Sequence, residues 1–168
     1  ALNPDGGEKC LFIDYNMGGT ILYFNSPVIG ADGTIYVGGG HNFYAFGPDG
    51  SKKWSMVCCW GQDILGSPAI GADGTFYVRA GGTFYAINPD GEKKWEFGDG
   101  GSNFGGPPAI GADGTIYEMA GGNLYAINPD GEKKWEFLGD SGSGSSWNSS
   151  PVIGADGTIY VGGGHNFY

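Results

Sequence analysis

Four aspartates stand where a cation could be held. Asp14, Asp63, Asp99 and Asp140 each fall in a segment that differs from its counterparts elsewhere in the chain. Carboxylates converging from neighbouring segments could bind Ca²⁺, which takes roughly six to eight oxygen ligands. Their offsets differ from segment to segment, so convergence does not follow from spacing, and solvated loop acids are the plainer reading. His41 and His165 occupy equivalent places in two identical stretches. With no third ligand at fixed spacing they read as polar turn residues rather than zinc ligands. Cys58 and Cys59 are adjacent, which allows a vicinal or inter-chain disulfide; a pair of free thiols is the plainer reading. Cys10 makes the count three, so at least one thiol is unpaired or paired between chains. No Ser-His-Asp or Cys-His set is legible, and a catalytic site needs a nucleophile with a base, a tuned acid–base pair or a cofactor site.

Binding chemistry has better candidates. Tyr15, Tyr23, Trp60 and Trp147 are aromatics outside any repeated pattern, suited to stacking on sugars or gripping peptides. Covering loop backbone is the plainer role. Arg79, Glu118 and Met119 replace a Val-Gly pattern at the end of a repeated strand. Arg79 joins the ligand-binding candidates, against drift at a solvated turn. Gly38-Gly39-Gly40 links two strands and opens no helix, so it is no phosphate cradle. Lys plus Arg is 8 against Asp plus Glu 18, a net charge of −10, which opposes nucleic-acid binding and anionic membranes. No apolar run approaches the ~20 residues of a membrane span.

What must position these residues is a repeat. The phrase Pro27-Val28-Ile29-Gly30-Ala31-Asp32-Gly33-Thr34-Ile35-Tyr36 returns with small edits from Pro68, Pro108 and Pro151, at spacings of 41, 40 and 43 residues. Residues 151–168 repeat residues 27–44 letter for letter. Ala1-Leu2-Asn3-Pro4-Asp5-Gly6 resembles Ala45-Phe46-Gly47-Pro48-Asp49-Gly50, the continuation of the chain after Tyr44. Joining Tyr168 to Ala1 gives a fourth spacing of 44. A period of this size signals a repeat architecture, and one that closes on itself argues for a ring.

Each repeat predicts four short strands. Ser26–Gly30 leads through an Asp-Gly hairpin turn to Thr34–Val37. Gly38–Gly40 turns into Asn42–Phe46, and Pro48-Asp49-Gly50 turns into Lys52–Met56. The middle strands are apolar on both faces, so both faces must be covered. A circular array in which each four-stranded sheet is flanked by its neighbours satisfies this. The expectation is an all-β, β-propeller fold of four-stranded antiparallel blades. The blades span about 26–66, 67–106, 107–149, and 150–168 completed by 1–25.

Residues 86–95 and 126–135, both Ala-Ile-Asn-Pro-Asp-Gly-Glu-Lys-Lys-Trp, resemble the Ala-x-Asp-x-x-x-Gly-x-x-x-Trp signature of PQQ-like (quinoprotein-type) propeller repeats. Asn88 and Asn128 stand where the signature has Asp, and the turn is one residue shorter. The resemblance implies that Trp54, Trp95 and Trp135 dock between adjacent blades, with Cys10 at the fourth such position. It implies an extracellular or periplasmic setting. It does not fix activity, because that family holds enzymes and plain scaffolds. The Ca²⁺ shell, catalytic carboxylate and quinone platform of PQQ-dependent dehydrogenases map onto no residues of this chain.

The expectation is therefore a non-enzymatic scaffold or interaction module, repeat-amplified or engineered, without cofactor, whose first partner is itself. Four repeats suggest half of an eight-bladed ring, completed as a head-to-tail homodimer; a single-chain four-bladed ring and an excised piece of a longer protein are the alternatives. A lectin-like or peptide-binding module using the variable loop face is the second functional reading. A fragment of a PQQ-dependent oxidoreductase, carrying Ca²⁺ or PQQ, is the third.

Overall fold

The computed structural model describes residues 5, 25–39, 41–57, 64–98, 106–139, 149–163 and 166–167. Among them there is no helix, and the strands form successive antiparallel sheets. Blade 1 is β1 (Val28–Ile29), β2 (Ile35–Gly39), β3 (Asn42–Phe46) and β4 (Lys52–Val57), hydrogen-bonded in that order. Blade 2 repeats it with β5 (Ile64–Ile70), β6 (Phe76–Ala80), β7 (Thr83–Ile87) and β8 (Lys93–Gly98). Blade 3 does so with β9 (Ala109–Ile110), β10 (Ile116–Ala120), β11 (Asn123–Ile127) and β12 (Lys133–Leu138). The described part of blade 4 holds two pairs, β13 (Val152–Ile153) with β14 (Ile159–Tyr160) and β15 (Gly162–Gly163) with β16 (Asn166–Phe167). The fold is a β-propeller of four-stranded antiparallel blades.

The turns follow from side-chain chemistry. Asp32 accepts the Thr34 N–H at 3.0 Å, while Gly33, at φ 79°, closes the turn with its N–H on Gly30 O at 2.9 Å. A short acceptor two residues ahead of the donor makes such a turn self-supporting. One expectation is corrected. Gly38 and Gly39 do not turn the chain: they lie in β2, opposite Phe43 and Asn42. Hairpin pairing runs on until two residues remain for the loop. In blade 3 those two are Gly121 and Gly122, at φ 58° and 86°, the double positive φ that suits a right-twisted hairpin.

Alternation along the strands then builds the core. Tyr36, Phe43 and Ala45 of blade 1 meet Phe76, Val78, Ala80 and Ile87 of blade 2. Tyr77, Phe84 and Ala86 of blade 2 meet Ile116, Ala120, Tyr125 and Ile127 of blade 3. Met119 and Leu124 of blade 3 meet Val161 of blade 4. At the first interface Tyr36, second in its strand, faces Phe76, Val78 and Ala80, first, third and fifth in theirs; at the second, Tyr77 and Arg79, second and fourth, face Ile116, Glu118 and Ala120. Among the described residues, no buried cluster joins blade 4 to blade 1.

Candidate functional site: the docking edges of the blades

The outermost strands β4, β8 and β12 carry a Trp at the same register, opposite Ala45, Ala86 and Ala126. Trp54 donates its indole N–H to Pro89 O at 3.0 Å, and Trp95 donates to Pro129 O at 2.9 Å. Each tryptophan thus reaches the Pro-Asp-Gly turn of the following blade. The turn glycine is fixed twice over. Gly91 and Gly131 both sit at φ 93°, and a Cβ on them would lie 3.4 and 2.8 Å from Trp54 and Trp95. The rings also join the core, Trp54 at 5.8 Å from Phe76 and Trp95 at 5.8 Å from Tyr77.

Trp135 has the same neighbour on its own blade, Tyr117 at 5.8 Å. Its indole N–H has no carbonyl acceptor among the described residues, and the residue is 38% exposed. Phe137 and Leu138 beside it are 40% and 66% exposed. Leu124, Trp135, Glu136, Phe137, Ile159 and Val161 line a groove of ≈ 510 Å³ between blades 3 and 4.

A second feature lies inside the molecule. The sequence puts Arg79 and Glu118 at a solvated turn; the structure corrects this. Both lie within strands β6 and β10, and Met119 with them, at 2%, 0% and 0% exposure. Arg79 occupies the fourth position of its strand and Glu118 the third of the next blade's, so the alternation that builds the core brings them face to face. Arg79 Nε donates to Glu118 Oε1 at 2.7 Å. The equivalent pairs are Gly38 with Val78 and Met119 with Val161, so among the described residues charge replaces apolar contact at one interface only. Arg79 therefore stands between blades, not on the loop face. The sequence signal was present: opposite charges at facing positions of successive repeats.

The other sequence candidates divide simply. Tyr15, Tyr23, Trp60, Trp147, Cys10, Cys58, Cys59, Asp14, Asp63, Asp99, Asp140 and His165 lie outside the described residues. His41 is exposed at the β2–β3 turn. No group of three or more His, Cys, Asp or Glu among the described residues could hold a metal ion.

On the outer rim a repeated clasp ties turn to strand. Lys53, Lys94 and Lys134 reach Asp32, Asp73 and Asp113 at 3.2, 3.2 and 3.4 Å. Each ammonium also donates to the threonine hydroxyl of the same turn, Thr34, Thr75 or Thr115. The Thr34 hydroxyl and N–H, then Lys53, hold Asp32 down at about 2. The Thr115 N–H and hydroxyl, then Lys134, hold Asp113 at about 2. Burial pushes Asp73 up, but the Thr75 and Lys94 bonds outweigh it and it ends below its ordinary value. A carboxylate depressed in the folded state contributes stability above its unfolded pKa of about 3.8, and loses it as pH falls through the folded value. The expected result is constant thermal stability from neutral pH to about 4, then a decline towards pH 2. Carboxyl ¹³C titration should give Asp32 and Asp113 midpoints near 2; midpoints near 3.8 would remove the clasp from the account.

These blades, with tryptophans reaching across to the next turn, define a PQQ-like β-propeller repeat protein. More narrowly, a family profile matches residues 5–167, and the chain belongs to the family of the outer membrane protein assembly factor BamB. No curated protein sequence matches it. Among solved structures, BamB from Moraxella catarrhalis superposes with a TM-score of 0.69 at 18% identity, covering 83% of this chain and 43% of that one. Virginiamycin B lyase from Staphylococcus aureus gives 0.68 at 15% identity, covering 87% and 50%. A protein of unknown function from Bacteroides caccae gives 0.62 at 19% identity, covering 84% and 53%. The chain thus spans about half the length of the structures it resembles.

Proposed function

We propose that the chain is a non-enzymatic propeller scaffold that acts by holding protein surfaces, and that a second copy of itself is the first of these. The observation that carries this reading is the outer edge of blade 3. Trp54 and Trp95 are docked, whereas Trp135, Phe137 and Leu138 stand 38%, 40% and 66% exposed beside an apolar groove. Contiguous exposed apolar surface marks a protein interaction site. In this reading two chains are arranged head to tail as an eight-bladed ring. A two-fold pair closes as a finite assembly. Light scattering should then give twice the 17.5 kDa of one chain. A monodisperse 17.5 kDa particle at micromolar concentration overturns the reading.

A further inference from the structure

The Asp-Gly turns of blades 2 and 3 leave a slot between them. It holds ≈ 220 Å³ and is lined by Ala72, Asp73 and Tyr77 of blade 2, by Ile110, Ala112 and Pro129 of blade 3, and by turn glycines. Asp73 is its one charged lining residue. Small-molecule sites run to roughly 300–1,000 Å³, so this volume suits a single long side chain better than a whole ligand.

The chemistry of the slot asks for a cation. A carboxylate offers about four lone-pair sites. Asp73 Oδ1 accepts the Thr75 N–H at 3.0 Å, and Oδ2 accepts the Thr75 hydroxyl at 2.8 Å and Lys94 at 3.2 Å. One site on Oδ1 remains for a further donor. Around it Asp90, Glu92, Asp130 and Glu132 of the Pro-Asp-Gly turns are exposed, and none of them is paired with a lysine among the described residues. Such a field draws a cation in before contact. The walls then select its kind. An ammonium group holds its water tightly, whereas a planar guanidinium sheds it and packs against aromatic and apolar faces. Tyr77, Ile110 and Pro129 supply those faces, and Ile110 and Pro129 also suit the hydrocarbon stem.

The same residue types recur one blade earlier. Ala31, Asp32, Tyr36, Ile70, Ala72 and Pro89 stand at the equivalent positions of blades 1 and 2. The local spacing recurs too. A Cβ on Gly30 would lie 3.1 Å from Asp32 Oδ1 and 3.2 Å from the Tyr36 ring, as one on Gly71 would lie 2.9 and 3.3 Å from Asp73 and Tyr77. A second copy cannot supply the occupant, because the only arginine in the sequence is Arg79, which is 2% exposed. Resting on the scaffold reading only in that the chain holds protein surfaces, we propose that the slot takes an arginine side chain from a basic segment of a different protein, its guanidinium donating to Asp73 Oδ1.

The test uses the full chain and a fluorescein-labelled hexapeptide alternating arginine and glycine, read by anisotropy. The parent should bind it saturably, and its lysine counterpart several-fold more weakly. Ala72→Leu fills the slot without changing charge; Ala72 is exposed, so the fold should be kept, as circular dichroism will check. Asp73→Asn keeps an acceptor for the Thr75 N–H and removes the charge. Each should raise the peptide's dissociation constant about tenfold or more, the worth of a hydrogen bond to a charged group. Asp130→Asn, which removes one charge of the same face outside the slot, should change it less than about threefold. No saturable binding overturns the proposal, as does parental affinity in Ala72→Leu, which puts the peptide elsewhere. Equal losses in Asp130→Asn and Asp73→Asn, or equal affinity for the lysine peptide, overturn it too, since the acidic face as a whole would then be the attractant. None of these results alters the doubled mass expected of self-pairing, which light scattering tests separately.

Discussion

Replacing Glu118 with valine should lower the unfolding free energy by about 3–5 kcal/mol, the usual cost of removing one partner from a buried ion pair. The side chains are 1% and 0% exposed and meet at 2.7 Å, so water cannot easily take the carboxylate's place. Adding Arg79→Met should reverse the loss. The double variant recreates the Met119–Val161 contact of the next interface, and an apolar replacement of a buried pair is often neutral or stabilising by about 1–4 kcal/mol. Urea unfolding of the parent, Glu118→Val and the double variant checks both steps. A single variant as stable as the parent would mean that the guanidinium is solvated and that the contact is not a dry one.

Trp95→Ala should have the next largest effect, a loss of about 3 kcal/mol. The ring packs at 6.1 Å from Phe84 and lies against Gly131 of the following blade, so its removal opens a hole that a positive-φ turn cannot collapse into. Trp95→Phe keeps an aromatic ring and removes the bond to Pro129 O, which should cost about 1 kcal/mol. Thermal melts of the two variants separate the contributions. Equal losses would place the whole effect in the hydrogen bond.

How far the sequence carried depends on what kind of information each feature needs. Strand identity and the stacking of blades were legible because they are local: Asp-Gly turns, β-branched and aromatic runs, and two greasy faces at Ile35, Tyr36 and Val37 admit few other arrangements. The family signature marked Trp54, Trp95 and Trp135 as one recurring position; the bonds of Trp54 and Trp95 to Pro89 O and Pro129 O came from the structure, and Trp135 has no such bond among the described residues. The inclusion of Gly38 and Gly39 in β2 was not, because a run of glycines fits a turn and a close-packed strand equally well. Here the space decides: a Cβ on Gly38 would lie 2.8 Å from Ile64. Arg79 and Glu118 looked like solvated residues because charge usually is. Their burial emerges only once facing heights on neighbouring blades are known, 39 residues apart in the chain. The aromatic candidates of the variable connectors fall outside the described residues.

The single charged interface has a consequence for how such a chain can be rearranged. Near-identical repeats invite duplication, loss and exchange of units, and most such events here would swap one greasy face for another of the same shape. Units 2 and 3 are different. Any recombination that separates them presents a cation to a hydrocarbon wall on one side and an anion on the other. Arg79 and Glu118 therefore act as a lock and its key, admitting shuffling at the other two described boundaries but not at their own.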